Sequence, residues 1–304
     1  MLQALETHAK RGKWRAAVVT CCAGLLGCTH NPEPVRRDLL ELSTDNDDVR
    51  VAFSPDGLRA LWGRVTEAGE LEIVESTRSA VGWSVPAPVS FNSSMNDFDP
   101  AFSADGRTVF FFSSRSGGFG GDDLYQVTLD PVTGLYGEPF NLGPNLNSAG
   151  DEWAPAPSDD GTQLLFATDG RGGLGLHDLF ISTRADGRWQ EARNLGQNVN
   201  TALEDFDGLF LPENLSIVYA RGDLRGEGRA MLTLASLIDG EWTSVGVLPP
   251  RFNCSSGLNF GPAASAAEPG RLFWSAKCQG RQSIDIWSAR VGEAFSRLHR
   301  LERD

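Results

Sequence analysis

The chain has 304 residues, 40% of them apolar, and a formal net charge of −13. Such a length suits one large β domain or two ordinary ones, and 34 glycines with 17 phenylalanines suit many short strands and tight turns. No Lys/Arg cluster with interleaved aromatics stands beyond the N-terminus, so nucleic acid is excluded as a partner, and the acidic balance draws the chain to no anionic membrane surface.

The N-terminal segment differs in kind. Lys10, Arg11, Lys13 and Arg15 precede an apolar run from Ala16 to Leu26. That run is too short to span a bilayer but fits the apolar region of a secretory signal. It closes Leu25-Leu26-Gly27-Cys28, which resembles the bacterial lipoprotein box, with a branched residue, a small residue and then the cysteine that is lipidated. An ordinary signal cut nearby would leave Cys28 incidental; basic flank, apolar length and cysteine position agree on a lipoprotein signal peptide over 1–27. Its removal deletes four basic residues and Glu6, leaving 23 Lys+Arg against 39 Asp+Glu, a net charge of −16. Residues 28–48, with Asn31-Pro32-Glu33-Pro34 and an acidic TDNDD run, read as a tether. The C-terminal FSRLHRL (295–301) can form the outer strand of the last sheet unaided, and within the tether Leu39–Leu42 either compete for that edge or extend it.

A repeat follows over 49–304. Aromatic residues after a glycine turn, Trp83, Tyr136, Trp189, Trp242 and Phe295, each stand 53 residues after the one before. The rest of each unit falls into register. An opening strand ends in AFSPDG (52–57), AFSADG (101–106), APSDDG (156–161), LFLPEN (209–214) or ASAAEPG (264–270). A second apolar strand, a glycine-rich loop, a third strand and a fourth strand carrying the aromatic residue complete the unit. Four short strands in about fifty residues are the signature of a β-propeller blade, and solenoid units are typically shorter. The reading is all-β: a single propeller of five four-stranded blades over roughly 49–95, 96–148, 149–201, 202–254 and 255–304.

In the third unit, GRGGLG (170–175) fits the dinucleotide fingerprint, but no amphipathic helix follows to hold a phosphate. It sits where SGGFGG (116–121), DLRGEG (223–228) and CQGRQS (278–283) sit in other units. It is a hairpin loop, rich in glycine because such loops need residues at positive φ. In the fifth unit, Cys254 and Cys278 lie in loops that emerge at the same end, so export would allow them to form a disulfide.

The units DFDPAFSADGRTVFFFSSRSGGFGGDDLYQV and DEWAPAPSDDGTQLLFATDGRGGLGLHDLF resemble the TolB-type (WD-like) propeller repeat of bacterial periplasmic and outer-membrane proteins. The likeness covers about residues 97–208 most closely. It implies a propeller that serves as a protein-binding platform of the cell envelope.

Strand alternation brings the inter-blade loops and the second-to-third hairpin loops to one end. That end collects Asp97, Asp99, Asp151, Glu152, Glu204, Asp205 and Asp207, with Arg115, Asp122, Asp169, Arg171 and Asp223 from the hairpins. A ring of carboxylates raises two sharp possibilities, a glycosidase pair and a divalent-cation site. Acids at repeat-equivalent positions are better read as turn caps, since a catalytic pair would break the repeat and occur once. No G-x-S-x-G element is present, and the histidines beyond the leader, His30, His177 and His299, are too dispersed for a histidine-rich zinc site. Trp83, Trp189 and Trp242 read as inter-blade packing rather than sugar platforms.

The expectation is therefore a non-enzymatic lipoprotein of the bacterial envelope, anchored through Cys28 with Thr29 favouring the outer membrane. No catalytic residue, metal or cofactor is assigned. Its partner is another envelope protein, held by Asp97, Asp99, Asp151, Glu152, Glu204, Asp205, Asp207, Arg115 and Arg171. Charge reversal at Asp151, Glu152, Asp205 and Asp207 is expected to leave the fold intact. The alternative is a carbohydrate hydrolase or lyase acting at the acidic mouth.

Overall fold

A computed structural model describes residues 46–291, apart from 227, 255–256 and 279–282. The signal segment 1–27, Cys28, Leu39–Leu42, most of the tether and the strand expected around Phe295 lie outside the described residues.

Each repeat unit folds as an antiparallel sheet. The inner strands are Asp48–Phe53, Asp97–Phe102, Glu152–Pro157, Glu204–Phe210 and Leu258–Ala264, and each pairs with the strand after its turn. Second and third strands follow in the register the repeat demands; Gln163–Thr168 pairs with Asp178–Ala185 from Gln163↔Thr183 to Thr168↔Asp178. Fourth strands are mostly two-residue pieces, such as Gly82–Trp83 and Ala87–Pro88. Pro86, Pro88 and Pro139 remove ladder donors there, which only an outermost strand tolerates. No helix among the described residues is long and apolar enough to cross a membrane.

The five inner strands neighbour one another in a closed cycle, the first meeting the last. Closure is by hydrogen bonds between the ends of the described chain. The Asp48 N–H donates to the Ile284 carbonyl at 3.2 Å and the Ile284 N–H to Asp47 Oδ1 at 2.6 Å. The Arg50 N–H donates to Ser275 Oγ at 2.8 Å. Phe53 packs on Phe273 with ring centroids 5.0 Å apart.

Local chemistry explains the turns. In SPDG, SADG and SDDG, the serine hydroxyl donates to the aspartate two residues on, and that aspartate accepts the next free N–H; Ser54, Asp56 and Leu58 are one such set. These bonds hold Asp56, Asp105 and Asp160 below the usual carboxylate range, the serine hydroxyl contributing most. At the other end, four asparagines clamp the third strand of their own blade. Asn92, Asn147, Asn200 and Asn253 each accept the N–H and donate to the carbonyl of one residue: Ile73, Leu124, Leu179 and Leu232.

Two of the repeat-spaced aromatics pack against rings of the preceding blade, while Trp83 and Trp242 meet Phe53 and Phe210 of their own blades. Trp189 meets Phe110 of the preceding blade at 6.3 Å, and Tyr136 meets Phe91 at 4.8 Å while its hydroxyl donates to Glu75 at 2.6 Å. In GRGGLG, Gly172 has φ +72°, and a Cβ on Gly175 would lie 2.0 Å from the Leu203 carbonyl oxygen. The loop's glycines thus serve a left-handed turn and a close approach to the next blade, and no helix follows.

Cys254 and Cys278 form a disulfide with Cα atoms 5.5 Å apart across 24 residues. On the chain-entropy argument a loop of that size stabilises by about 3 kcal/mol. Replacing both cysteines by alanine is expected to lower the urea midpoint accordingly. A second expectation concerns inter-blade packing. A Cβ on Gly63 would lie 2.4 to 2.6 Å from the buried ring of Phe98. Gly63→Ala should destabilise by about 1–3 kcal/mol of overpacking, with Phe98→Leu recovering part of the loss in urea unfolding.

Candidate functional site

Most of the acidic residues at the hairpin end are structural. Asp97, Glu152 and Asp205 begin or nearly begin their inner strands, and each accepts from the N–H and hydroxyl of the Ser or Thr four residues earlier. A cation or hydroxyl answers each from the neighbouring strand or the loop just beyond it: Arg115 Nη2 to Asp97 at 2.5 Å, Thr168 Oγ1 to Glu152 at 2.7 Å, Arg221 Nε to Asp205 at 2.6 Å. All three carboxylates are fully buried. They cap turns and offer no surface to a partner, and reversing their charge would bury an unpaired cation-like group, which unfolds rather than spares the domain. Arg115 and Arg171 are also committed. Arg115 lies over the rings of Phe111 and Tyr125, and Arg171 donates to the carbonyls of Pro144, Leu146 and Asn147.

Asp99 and Asp207 occupy a different place, the axis itself. Every inner strand carries a β-bulge at one repeat position, seen as a register shift in its pairing. The residues there, Arg50, Asp99, Ala154, Asp207 and Gly261, have φ between 49° and 57°. Arg50 Nη1 lies 3.7 Å from Asp207 Oδ1, and Asp207 Oδ2 accepts the Gly261 N–H at 2.8 Å. Arg50 Nη2 donates to the carbonyls of Pro155 at 3.1 Å, Ala154 at 3.3 Å and Gly208 at 3.4 Å. Asp99 is fully buried, and neither of its oxygens has a hydrogen-bond partner. Burial, and then the charge of Asp207, push Asp99 well above the usual carboxylate range. Burial pushes Asp207 up as well, opposed by Arg50. Two carboxylates with raised pKa values thus share the axis, but neither exposes any surface. Sequence reasoning passed over Arg50; aligning VRV, FDP, WAP, FDG and FGP at the bulge would have found it.

The two remaining candidate residues, Asp151 and Glu204, meet Asp169 and His177 at the rim of the third blade. Asp151 ends the inter-blade loop, Asp169 follows the second strand and His177 precedes the third. Their donor atoms lie within 4.8 Å of one another. Asp151 Oδ1 accepts the Asp122 N–H at 2.9 Å, and Asp169 Oδ1 accepts the Asp151 N–H at 2.9 Å. Glu204 is turned inward onto His177, accepting its N–H at 3.0 Å and facing Nδ1 at 2.8 Å. Trp153 stacks on the imidazole with centroids 3.6 Å apart and donates from Nε1 to Asp122 at 2.9 Å. The solvent-facing part of this end is otherwise apolar at four loop positions: Met95, Phe119, Leu174 and Leu203 are 41 to 54% exposed.

No protein-family model and no curated protein sequence matches the chain. Solved structures do resemble it. A protein assigned as TolB from Agrobacterium tumefaciens is 15% identical, with 81% of this chain and 78% of that one covered and a TM-score of 0.51. The α-L-arabinofuranosidase PaAbf62A of Podospora anserina is 8% identical, with 84% and 93% covered and a TM-score of 0.52. TolB from Acinetobacter baumannii is 15% identical over 81% of this chain and 55% of that one, at 0.48. The fold is a TolB-like β-propeller; at these identities the likeness extends to the fold alone.

The axial cluster makes a signed prediction about pH. A folded-state pKa above the unfolded one means the native protein binds more protons, so stability falls as pH rises from the unfolded value through the folded one. Asp99→Asn, whose asparagine accepts a left-handed backbone, should remove that loss, making the variant more stable than the parent at pH 8 and little changed at pH 4. Asp207→Asn instead strips a buried Arg50 of its counter-ion and should cost about 3–5 kcal/mol. Urea unfolding at the two pH values separates these outcomes.

Proposed function

We propose that the protein is a lipid-anchored propeller of the bacterial envelope that acts by binding another protein rather than by catalysis. The observation that carries this reading is the contrast between axis and rim. A glycosidase needs two carboxylates that reach a sugar, and the two axial carboxylates, Asp99 and Asp207, have no exposed surface. The hairpin end instead presents Met95, Phe119, Leu174 and Leu203 among carboxylates on a rigid scaffold, the kind of place where recognition resides. The contact surface is thereby moved from the buried acids to these loop tips and the half-exposed Asp151. The N-terminal segment supports the envelope assignment through its basic flank, apolar run and Leu25-Leu26-Gly27-Cys28 box. Among the described residues no helix is long and apolar enough to cross a membrane, and in this reading the lipid on Cys28 is the anchor.

Two measurements test the reading. Cys28→Ser should move the protein from the membrane to the soluble fraction; sedimentation of the variant with membranes at high salt would rule the anchor out. Phe119→Asp combined with Leu174→Asp should lower partner capture from crosslinked envelopes by about tenfold or more while leaving the unfolding curve unchanged. Leu58→Asp, at the opposite end, should have no effect on capture. The reverse result places recognition on the other end.

A further inference from the structure

We propose that Asp151, Asp169 and His177 bind one divalent transition-metal ion of the zinc type. Asp151 comes from the loop that enters the third blade, Asp169 and His177 from the two ends of that blade's hairpin loop, and each brings one donor atom within 4.8 Å of the others. Carboxylates so close repel unless a cation lies between them, and among the described residues no Arg or Lys forms an ion pair with Asp151 or Asp169. Each carboxylate accepts a backbone N–H through Oδ1, which fixes its orientation and leaves lone pairs for a ligand.

His177 supplies the second, independent observation. It is 1% exposed, and its Nε2 is buried without any hydrogen-bond partner. A buried imidazole nitrogen left unpaired costs free energy, and an ion supplies the missing partner. The other nitrogen faces Glu204 at 2.8 Å. The same Glu204 oxygen accepts the His177 backbone N–H, so it is placed as an acceptor and Nδ1 is assigned as the ring donor facing it. Nε2 then holds the lone pair. A carboxylate on one imidazole nitrogen that presents the other to a metal is the arrangement that orients metal-ligating histidines. Trp153, stacked at 3.6 Å, holds the ring plane. An imidazole with two carboxylates suits zinc-like ions better than calcium or magnesium, which take oxygen ligands.

The set also breaks the repeat. Strand pairing places Asn96, Ser114 and Asp122 at the equivalent positions of the second blade, and Glu204, Gly222 and Ala230 at those of the fourth. Only the third blade joins two carboxylates to an imidazole there. Asp151 shares its position with the acids Asp47 and Glu204, each of which accepts the N–H before a third strand, whereas the acid Asp169 and the imidazole of His177 have no counterpart in those blades.

Calorimetric titration of the chelator-treated full chain with zinc chloride tests the assignment. One saturable site is expected, with a zinc-dependent rise in the thermal midpoint. Asp169→Asn, a change at an exposed position, and His177→Gln should each weaken zinc binding at least about tenfold. Glu204→Gln should weaken it by about 10–100-fold through loss of the orienting carboxylate. Excess calcium should not displace the ion. Absence of saturable zinc binding, undiminished binding by Asp169→Asn, or tighter binding of calcium than zinc would each overturn the proposal; because Asp169 is exposed, its variant decides even if His177→Gln fails to fold.

Discussion

Five strands converging on one axis cannot each place an ordinary extended residue there, and the left-handed bulge in every inner strand is how this chain meets that constraint. A bulge adds one residue to one strand, re-aims a side chain and leaves backbone groups out of the ladder. Here the re-aimed side chains are Arg50, Asp99, Ala154, Asp207 and Gly261. The freed carbonyls include Ala154, Pro155 and Gly208, and they accept hydrogen bonds from one guanidinium, that of Arg50. A planar group with five donors suits this task as no other side chain does. Asp207 then neutralises the guanidinium, Gly261 secures Asp207 through its N–H, and small Ala154 and Gly261 leave the room that Arg50 fills. The axis is closed by its own charges. What resembles a catalytic mouth in the sequence is, in the fold, the packing of the hub.

Outward from the hub, the inter-blade loops repeat one solution to burying irregular backbone. An asparagine clamps the third strand, and a Ser or Thr and an acid four residues apart bond to each other and to free N–H groups. Buried loop N–H and carbonyl groups must be paired, and acids do so with the strength of charge-assisted bonds. Much of the chain's negative charge near the hairpin end is therefore spent internally and balanced by Arg115 and Arg221. The field this end presents to solvent is weaker than the count of Asp and Glu suggests.

The architecture was legible because it rests on periodicity. The 53-residue spacing of Trp83, Tyr136, Trp189 and Trp242 and the Ser-x-Asp-Gly turns are local signals repeated often enough to exclude chance, and the strands fall where they predict. GRGGLG was correctly read as a hairpin loop for the same reason. Burial of the acids was not legible. In a half-solvated strand the residues flanking Phe98 and Phe206 would face water, but an inner propeller strand is packed on both faces, so Asp97, Asp99, Asp205 and Asp207 are all enclosed. Sequence register identifies alternate faces and cannot tell that both are covered. Only Asp169 shares a loop with His177; its other neighbours in space, Asp151 and Glu204, stand at the entries to the third and fourth blades, and nothing in a linear spacing joins those two to the imidazole.

The third blade illustrates how a repeat gains a particular chemistry without losing its fold. The residue before each third strand is tied to the following blade through its backbone: the Asp122 N–H donates to Asp151, and the His177 N–H donates to Glu204. Because the main chain makes that contact, the side chain at the position is released from it. In the second blade it is a carboxylate that accepts the Trp153 indole N–H; in the third it is an imidazole lying against the same indole ring. Asp151 receives its N–H through Oδ1 alone. Blade-to-blade adhesion therefore sets the backbone geometry of this rim and leaves its functional groups open to vary. On a scaffold whose hub is closed by Arg50, differences between blades at this rim are where a specific ligand or partner can be distinguished.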